Sequence, residues 1–175
     1  MDGMTVREIR PEDEPDVAAL FASCEDYFVA ATGNPALPGD VQSLYYALPE
    51  GADFDRKRLL VMCRGEEVVG LVDVVDRHPD AESCSVGVFL VAPEARRERI
   101  GTNVAGRLIE EVAARGMRKV VATCPMGWES GLGFLRGLGF QIGAPEGQAG
   151  GTVGNRLRHP AETGLCTAEL RLADR

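Results

Sequence analysis

Residues 89–116 read FLVAPEARRERIGTNVAGRLIEEVAARG: the end of an apolar strand, an arginine-rich loop and a long amphipathic helix. The strand begins at Cys84 and is apolar at consecutive positions, which is typical of a central strand covered on both faces. The helix is predicted from apolar residues that step by four, namely Ile100, Val104, Leu108 and Val112, with Gly116 as its stop. A second apolar strand, Lys119 to Cys124, follows. The three elements therefore predict a strand–helix–strand unit with parallel strands.

The rest of the chain adds helices and strands on both sides of this unit. A stripe of apolar residues predicts one N-terminal helix: Val17, Leu20, Phe21, Cys24 and Phe28. Further elements are predicted at Thr5–Arg10 (strand), from Asp40 (short helix), at Arg58–Cys63 and Glu67–Val75 (a hairpin), at Trp128–Leu138 (helix), and at Phe140–Ile142 and Cys166–Leu172 (strands). The pattern favours one α/β domain over residues 1–175, with a long Gly- and Pro-rich loop at 143–164.

Composition narrows the classes of partner. The chain has 175 residues and a formal net charge of -8, so nucleic acid and anionic membrane are poor partners. The same charge favours a cationic small molecule, or it serves solubility alone. Neither a leader nor an apolar run long enough to span a bilayer is recognisable, and the expected location is the cytoplasm.

Cysteines and histidines point to no metal site. Five cysteines stand apart in mostly apolar stretches and are predicted to be buried free thiols: Cys24, Cys63, Cys84, Cys124 and Cys166. His78 and His159 have no Cys or His at the spacing of metal ligands. We therefore expect no metal.

The arginine-rich loop predicts an anion site. Arg96, Arg97 and Arg99 directly precede the free N–H groups of a helix N-terminus at Ile100, Gly101 and Thr102, an arrangement that binds phosphate or pyrophosphate. Gly101 lacks a Cβ that would block a close approach. The alternative is that the arginines form solvated surface pairs with Glu94 and Glu98.

This loop resembles motif A of the GNAT superfamily of N-acetyltransferases, and FLRGLGF (Phe134 to Phe140) resembles a later signature of the same family. The resemblance implies a three-layer α/β fold with a mixed sheet of six to seven strands and about four helices. It also implies that acetyl-CoA is the cosubstrate. Backbone groups of Phe89, Leu90 and Val91 would hold the pantetheine arm, provided that the neighbouring strand separates from them. Trp128 and Phe134 would line the opposite wall, or else belong to the core. Homodimers are common in the family.

The chain departs from the family pattern at three positions. Arg99 stands where the first glycine of the pyrophosphate loop is usual. Leu135 stands where many members have a tyrosine acid, and Ser85 where several have a glutamate base. Because an ammonium must lose its proton before it can attack, a base matters more than an acid.

Asp73 is the predicted base. It shares strand parity with Leu71 and Val75, and an apolar row would raise the pKa of its carboxyl group. The alternative is an exposed strand edge with Asp73 solvated. Secondary candidates are Glu82, Glu25, Asp26, Tyr45 and Tyr46.

The sequence thus favours transfer of acetyl from acetyl-CoA to the amine of an unknown, possibly cationic, small molecule by direct attack. The alternative function is a non-catalytic acyl-CoA sensor on the same fold. An acyl donor other than acetyl is a third possibility, and the width of the pocket near Leu135 and Val91 would decide it.

Overall fold

A computed structural model describes residues 3–143 and 164–172. The elements in chain order are β1 (Met4–Glu8), α1 (Glu14–Ser23), α2 (Glu25–Thr32), α3 (Asp40–Tyr46), β2 (Lys57–Arg64), β3 (Glu67–Asp76), β4 (Ser83–Val91), α4 (Ile100–Ala114), β5 (Lys119–Pro125), α5 (Glu129–Leu138), β6 (Gln141–Ile142) and β7 (Leu165–Arg171). Short 3-10 turns lie at Pro11–Asp13, Phe54–Arg56 and Pro93–Glu98. The predicted loop at 143–164 lies outside the described residues except for its two ends.

The seven strands form one mixed sheet in the order β1-β2-β3-β4-β5-β7-β6. Every neighbouring pair is antiparallel except β4 and β5, which run parallel on either side of the crossover helix α4. The predicted strand–helix–strand unit and the mixed sheet of six to seven strands are confirmed.

Helices cover both faces of the sheet. Alternate residues of a strand point to opposite faces. On β3, Val72 and Val74 share a cavity with residues of α4 and α5, whereas Asp73 and Val75 share a second cavity with residues of α1, α2 and α3. The structure is therefore the three-layer arrangement expected, and β4 is the central strand of the sheet.

The N-terminal helix differs from its prediction. The apolar stripe predicted one continuous helix, but the chain breaks at Cys24 into α1 and α2, so that the described residues contain five helices rather than about four. Cys24 is buried with φ -93° and ψ 44°, and its Sγ lies 3.7 Å from the carbonyl oxygen of Val91. Beyond the break, α2 contacts β5, and its Tyr27 lines the cavity between the sheet and α4.

The expectation of buried free thiols is confirmed. All five cysteines are buried and free. Within residues 3–143 and 164–172, no helix has the length and apolar character needed to cross a bilayer.

Candidate active site

The two central strands separate along half of their length. β4 pairs with β5 only over Ser83–Val86 and Lys119–Ala122. Beyond these four residue pairs, Gly87 to Val91 have no β5 partner, although Val88 to Val91 continue to pair with β3. Buried backbone groups require hydrogen-bond partners. The separation that the predicted pantetheine site requires is therefore present, and Phe89 lies in the part of β4 that has no β5 partner.

A bulge at Gly87 marks the point of separation. Val86 pairs with Val74 and Val88 pairs with Asp73, so that Gly87 has no opposite residue on β3. One extra residue in a strand reverses which face the following side chains occupy. Cys84 and Val86 therefore face α4 before the bulge, as Phe89 and Val91 do after it.

The first cavity lies between the sheet and the helices α4 and α5. Its volume is about 390 Å³, and its walls are largely apolar. Phe89 and Phe134 face each other across it, with ring centroids 5.3 Å apart. At one end it reaches Gly101 and Thr102 in the first turn of α4. Such an elongated apolar slot with a polar end fits an arm that carries a phosphate group.

The N-terminus of α4 opens at that polar end. Its first turn contains no acidic residue and no side-chain cap, so the N–H groups of Ile100, Gly101 and Thr102 are available to an anion. Arg97 and Arg99 are exposed beside it. A Cβ on Gly101 would stand 3.3 Å from Val91 and 3.4 Å from Phe134, so glycine lets this turn pack closely on the cavity wall.

Arg96 is committed to a carboxylate rather than free. Its guanidinium donates to Asp26 Oδ2 at 2.8 Å and Oδ1 at 3.1 Å, and its Nε donates to the carbonyl oxygen of Val91 at 2.9 Å. Trp128 Nε1 also donates to Asp26 Oδ2, at 2.7 Å, and the guanidinium lies 5.7 Å from the Trp128 ring centroid. Asp26 thus ties the loop after β4 to the loop after β5, across the open end of the separated strands.

The alternative that the loop arginines pair with Glu94 and Glu98 is wrong. Arg96 pairs with Asp26, and Glu98 pairs with Arg64 on β2. These contacts leave Arg97 and Arg99 as the two arginines of the loop whose side chains have no ion-pair partner among the described residues.

A second cavity, of about 220 Å³, lies on the opposite face between the sheet and α1 to α3. Asp73 lines it and is only 1% exposed, so the alternative of a solvated edge is wrong: β3 is an interior strand. Lys57 Nζ donates to Asp73 Oδ1 at 2.9 Å and to the carbonyl oxygen of Ala47 at 2.6 Å. Asp73 Oδ2 is buried and has no hydrogen-bond partner among the described residues.

Burial raises the pKa of Asp73 above its ordinary value, although the charge of Lys57 and its hydrogen bond oppose the rise. An unpaired buried carboxylate oxygen is costly. None of the described residues meets this cost for Asp73 Oδ2.

The two cavities meet at the bulge. Tyr27, Gly87, Val88 and Thr123 line both of them. Because Asp73 is the residue opposite Val88 on β3, its carboxylate stands on the second cavity's side of this junction. A group held in the first cavity and a group held in the second would contact each other there.

The structure brings most of the predicted cofactor residues together. Seven line the first cavity: Phe89, Val91, Arg96, Gly101, Thr102, Trp128 and Phe134. Four do not: Leu90, Arg97, Arg99 and Ile100. Leu90 and Ile100 are core residues. Backbone N–H and C=O groups alternate in direction along an antiparallel strand. The carbonyl group of Val91 points away from β3, since it accepts from Arg96 Nε. The backbone groups of Phe89 therefore also point away from β3, and those of Leu90 point towards it.

None of the secondary candidates lines either cavity. Glu25 and Glu82 are exposed, Tyr46 is exposed, and Tyr45 lies in a separate hollow near Lys57. Asp26 has the structural contacts described above. Of the three departures from the family pattern, two line the cavities, Leu135 in the first and Ser85 in the second, and Arg99 lines neither.

Sequence reasoning missed two residues of the site, Lys57 and Gly87, and the role of a third, Asp26. Lys57, the partner of Asp73, is one of only two lysines in the chain. Gly87 is an isolated glycine inside an apolar strand, a pattern that indicates a bulge. The role of Asp26 had no local signal, because its partners lie about 70 and 102 positions away in sequence.

Thiol and metal chemistry gain no support from the described residues. Burial raises the pKa of Cys84 and of Cys124 to about 12, so neither thiol at the first cavity ionises near neutral pH. In the part of the chain that is described, no three His, Cys, Asp or Glu side chains cluster as a metal site.

Comparison with known proteins agrees with this geometry. Residues 19–140 match the acetyltransferase (GNAT) family, and the chain belongs to that family. No curated protein sequence matches it.

Solved structures share the fold at low sequence identity. An acetyltransferase from Thermus thermophilus superposes with a TM-score of 0.70 at 19% identity, covering 97% of each chain. Spermidine N-acetyltransferase from Vibrio cholerae, in complex with CoA and spermine, gives 0.68 at 13% identity, covering 99% of this chain and 98% of that one. Ribosomal-protein-S18-alanine N-acetyltransferase from Escherichia coli gives 0.66 at 12%, covering 97% and 94%. At these identities the likeness shows the fold.

Proposed function

We propose that this protein transfers the acetyl group of acetyl-CoA to a small-molecule amine, by direct attack within a ternary complex. The single observation that carries the proposal is the meeting of two cavities, on opposite faces of the sheet, beside an unpartnered carboxylate oxygen of Asp73. One cavity suits the acyl-CoA arm and the other suits the acceptor. The spermidine enzyme that shares this fold was solved with CoA and a polyamine.

The residues around the first cavity would bind the donor. The α4 N-terminus with Arg97 and Arg99 would hold the pyrophosphate, because backbone N–H groups and guanidinium groups both favour anions. The outward backbone groups of Phe89 would bind the pantetheine amides in place of a β5 partner. Arg96, held by Asp26, would position the loop rather than bind phosphate itself.

Asp73 would act as the base. Its Oδ2 accepts a proton from the attacking amine nitrogen as that nitrogen forms a bond to the thioester carbonyl carbon. The C–S bond then breaks and the thiolate leaves with the electron pair, which a thiol with a pKa near 8.5 tolerates without a dedicated acid. The proton on Asp73 passes to solvent or to the thiolate. Lys57 fixes the carboxylate through Oδ1 and leaves Oδ2 for this task.

An Asp73→Asn variant tests the base. We expect kcat to fall by about 10²- to 10⁴-fold, the usual contribution of a general base, while the Kd for acetyl-CoA stays within about twofold. Thiol release across a panel of amines gives kcat, and calorimetric titration gives Kd.

Asp76→Asn is the matched control. Asp76 is also a buried aspartate of β3 in ion pairs, with Arg58 and Arg115, but it lines neither cavity. Equal losses of kcat in both variants would show that the effect of Asp73→Asn is structural and would remove Asp73 from the mechanism.

The alternative function, an acyl-CoA sensor, is favoured by one observation: Leu135 and Ser85 replace the acid and base that the family pattern has at these positions. Titration of the wild-type protein with acetyl-CoA, beside an Arg97→Ala and Arg99→Ala double variant, separates the two functions. Binding that depends on these arginines, with thiol release on an amine, supports the transferase. Arginine-dependent binding without thiol release on any amine supports the sensor.

A further inference from the structure

The second cavity has the size of a small molecule. A cavity of about 150 Å³ takes up benzene in a protein of known structure, so that 220 Å³ suits about nine non-hydrogen atoms on the same scale. A single ring with a two-carbon amine arm has this size. A peptide segment or a long polyamine exceeds it.

The cavity walls are mostly apolar and partly aromatic. Phe21 and Phe28 line it with ring centroids 5.0 Å apart, and Leu44, Val75 and Val121 complete this apolar lining. Transfer of an apolar group from water to an apolar cavity is favourable in free energy, and transfer of a charged group is unfavourable. The acceptor that fits this wall carries hydrocarbon, not a second ammonium group.

Carboxylates in the lining are few. Of the described lining residues, only Asp73 and Asp40 are acidic. Asp40 Oδ2 already accepts from the N–H of Leu37 at 2.7 Å, and Asp73 Oδ1 already accepts from Lys57. The remaining free buried oxygen is Asp73 Oδ2, which is a partner for one amine nitrogen. A polyamine would pair one cation with Asp73 and at most one more with Asp40, and any further cation would stay unpaired in a largely apolar space.

The charge of Lys57 limits the acceptor further. Its ammonium group is 6% exposed and 2.9 Å from Asp73 Oδ1, so the pair is close to neutral as a unit. A nearby positive charge disfavours a second one. An acceptor nitrogen at Oδ2 is therefore favoured as the neutral amine, which is the form that attacks a thioester.

We propose that the acceptor is a compact primary monoamine of about nine non-hydrogen atoms with an apolar, aromatic body. Its nitrogen binds at Asp73 Oδ2 beside Gly87, and its body packs against the wall of Phe21 and Phe28. This inference rests on the proposed function, because it names the substrate of the same site.

Phenethylamine is the probe, and spermidine and an alanine-first tripeptide are the competitors. We expect kcat/KM for phenethylamine to exceed that for either competitor by at least tenfold, in an assay of thiol release from acetyl-CoA by the full chain. Turnover of spermidine or the tripeptide at equal or greater kcat/KM would overturn the inference and leave the transferase standing. Absence of turnover on every amine would overturn both.

An Ala31→Phe variant tests the location. Ala31 lines the second cavity from α2 and is not among the residues lining the first. The added ring fills the acceptor space, so we expect KM for phenethylamine to rise at least tenfold, KM for propylamine to change less than threefold, and the Kd for acetyl-CoA to stay within twofold. Ala31→Leu is a smaller change at the same position and should give an intermediate effect. Equal changes for both amines in both variants would overturn the assignment of this cavity.

Discussion

Arg99 adopts a backbone conformation that glycine adopts more readily. Its φ is 59° and its ψ is 19°, in the left-handed region at the start of α4. For an L-residue this region costs roughly 1–2 kcal/mol. The family pattern has glycine at this position. This chain has the same left-handed turn with an arginine, so that its backbone is strained. The arginine adds a guanidinium group beside the free N–H groups of the helix.

Arg99→Gly should therefore be more stable than its matched variant Arg97→Gly. Both changes remove one exposed arginine of the same loop, but Arg97 has an ordinary negative φ, where glycine only adds flexibility to the unfolded chain. We expect the free energy of unfolding of the Arg99 variant to exceed that of the Arg97 variant by at least about 1 kcal/mol. Urea denaturation without ligand measures both, and equal values would mean that the Arg99 conformation stores no strain.

The link that Asp26 makes between the loop after β4 and the loop after β5 is sensitive to acid. Hydrogen bonds from Arg96, followed by that from Trp128, lower the pKa of Asp26 to about 2, below its ordinary value of 3.8, against the opposing effect of burial. A carboxylate with a depressed pKa in the folded state contributes stability that is complete above its unfolded pKa. That contribution is lost as the pH falls from about 4 towards about 2.

An Asp26→Asn variant should lose this pH-dependent stability. We expect its urea midpoint to lie below that of the wild type at pH 6, and the gap between them to narrow as the pH approaches about 2.5. Because the Asp26 side chain is 41% exposed, solvent screening keeps the gap modest. A gap that is constant with pH would show that the carboxylate charge does not hold Arg96 and Trp128.

At the scale of elements, the three glycines of α5 serve different purposes. A Cβ on Gly131 would stand 2.7 Å from Trp128 Cζ3 and 2.8 Å from Cys124 Sγ, whereas a Cβ on Gly133 or Gly137 would meet nothing within 4 Å. Only Gly131 is required by packing. It lets Trp128 fold back on the helix and reach Asp26.

Gly131→Ala and Gly133→Ala form a matched pair on one helix. The first should destabilise the protein by about 1–3 kcal/mol through overpacking, and should weaken acetyl-CoA binding because Trp128 is displaced. The second should stabilise it by up to about 1 kcal/mol, because alanine favours a helix over glycine. Thermal unfolding and calorimetric titration measure the two effects. Stabilisation by both changes would show that the Trp128 ring moves aside without lowering the free energy of unfolding.

The sequence predicted the elements better than their bends. The spacing of apolar residues predicted α4 and the strands beside it, because a stripe or run of apolar residues indicates which face of an element is buried. It did not place the break at Cys24, because the apolar spacing continues through that residue, whose Sγ contacts the carbonyl oxygen of Val91, 67 residues away. The pattern of neighbouring residues does not reveal a contact between residues so far apart in sequence.

The site was predictable in part for the same reason. Parity on β3 identified Asp73 as a carboxylate in an apolar row, and its burial bears this out. Its partner Lys57 lies on β2, and the register that joins them depends on the hairpin and its bulge. The expectation that Arg96 binds phosphate overlooked Asp26, since the bend at Cys24 is what brings that carboxylate to the loop.

At the scale of the whole molecule, the sheet consists of two parts joined by a short seam. Strands β1 to β4 form one part and β5 to β7 the other, and only four parallel residue pairs connect them. The neighbouring ladders, β3 with β4 and β5 with β7, have seven pairs each. Acetyl-CoA bound in the first cavity would contact both parts, replacing the hydrogen bonds that the separated strands lack.

Acetyl-CoA should therefore stabilise the protein most strongly at the seam. At a concentration of about 100 times Kd the free energy of unfolding should rise by about 2.7 kcal/mol, as expected for any ligand that binds only the folded state. Hydrogen exchange distinguishes the location: amides of Gly87 to Val91 that exchange through local opening should slow well beyond those of β1, an edge strand with no residue lining the first cavity. The Arg97→Ala and Arg99→Ala double variant, titrated at the same concentration, should show a smaller rise in stability and weaker protection at the same amides. Uniform slowing over all seven strands would show that the ligand stabilises the fold without bridging β4 and β5, and the proposed donor site would then lie elsewhere.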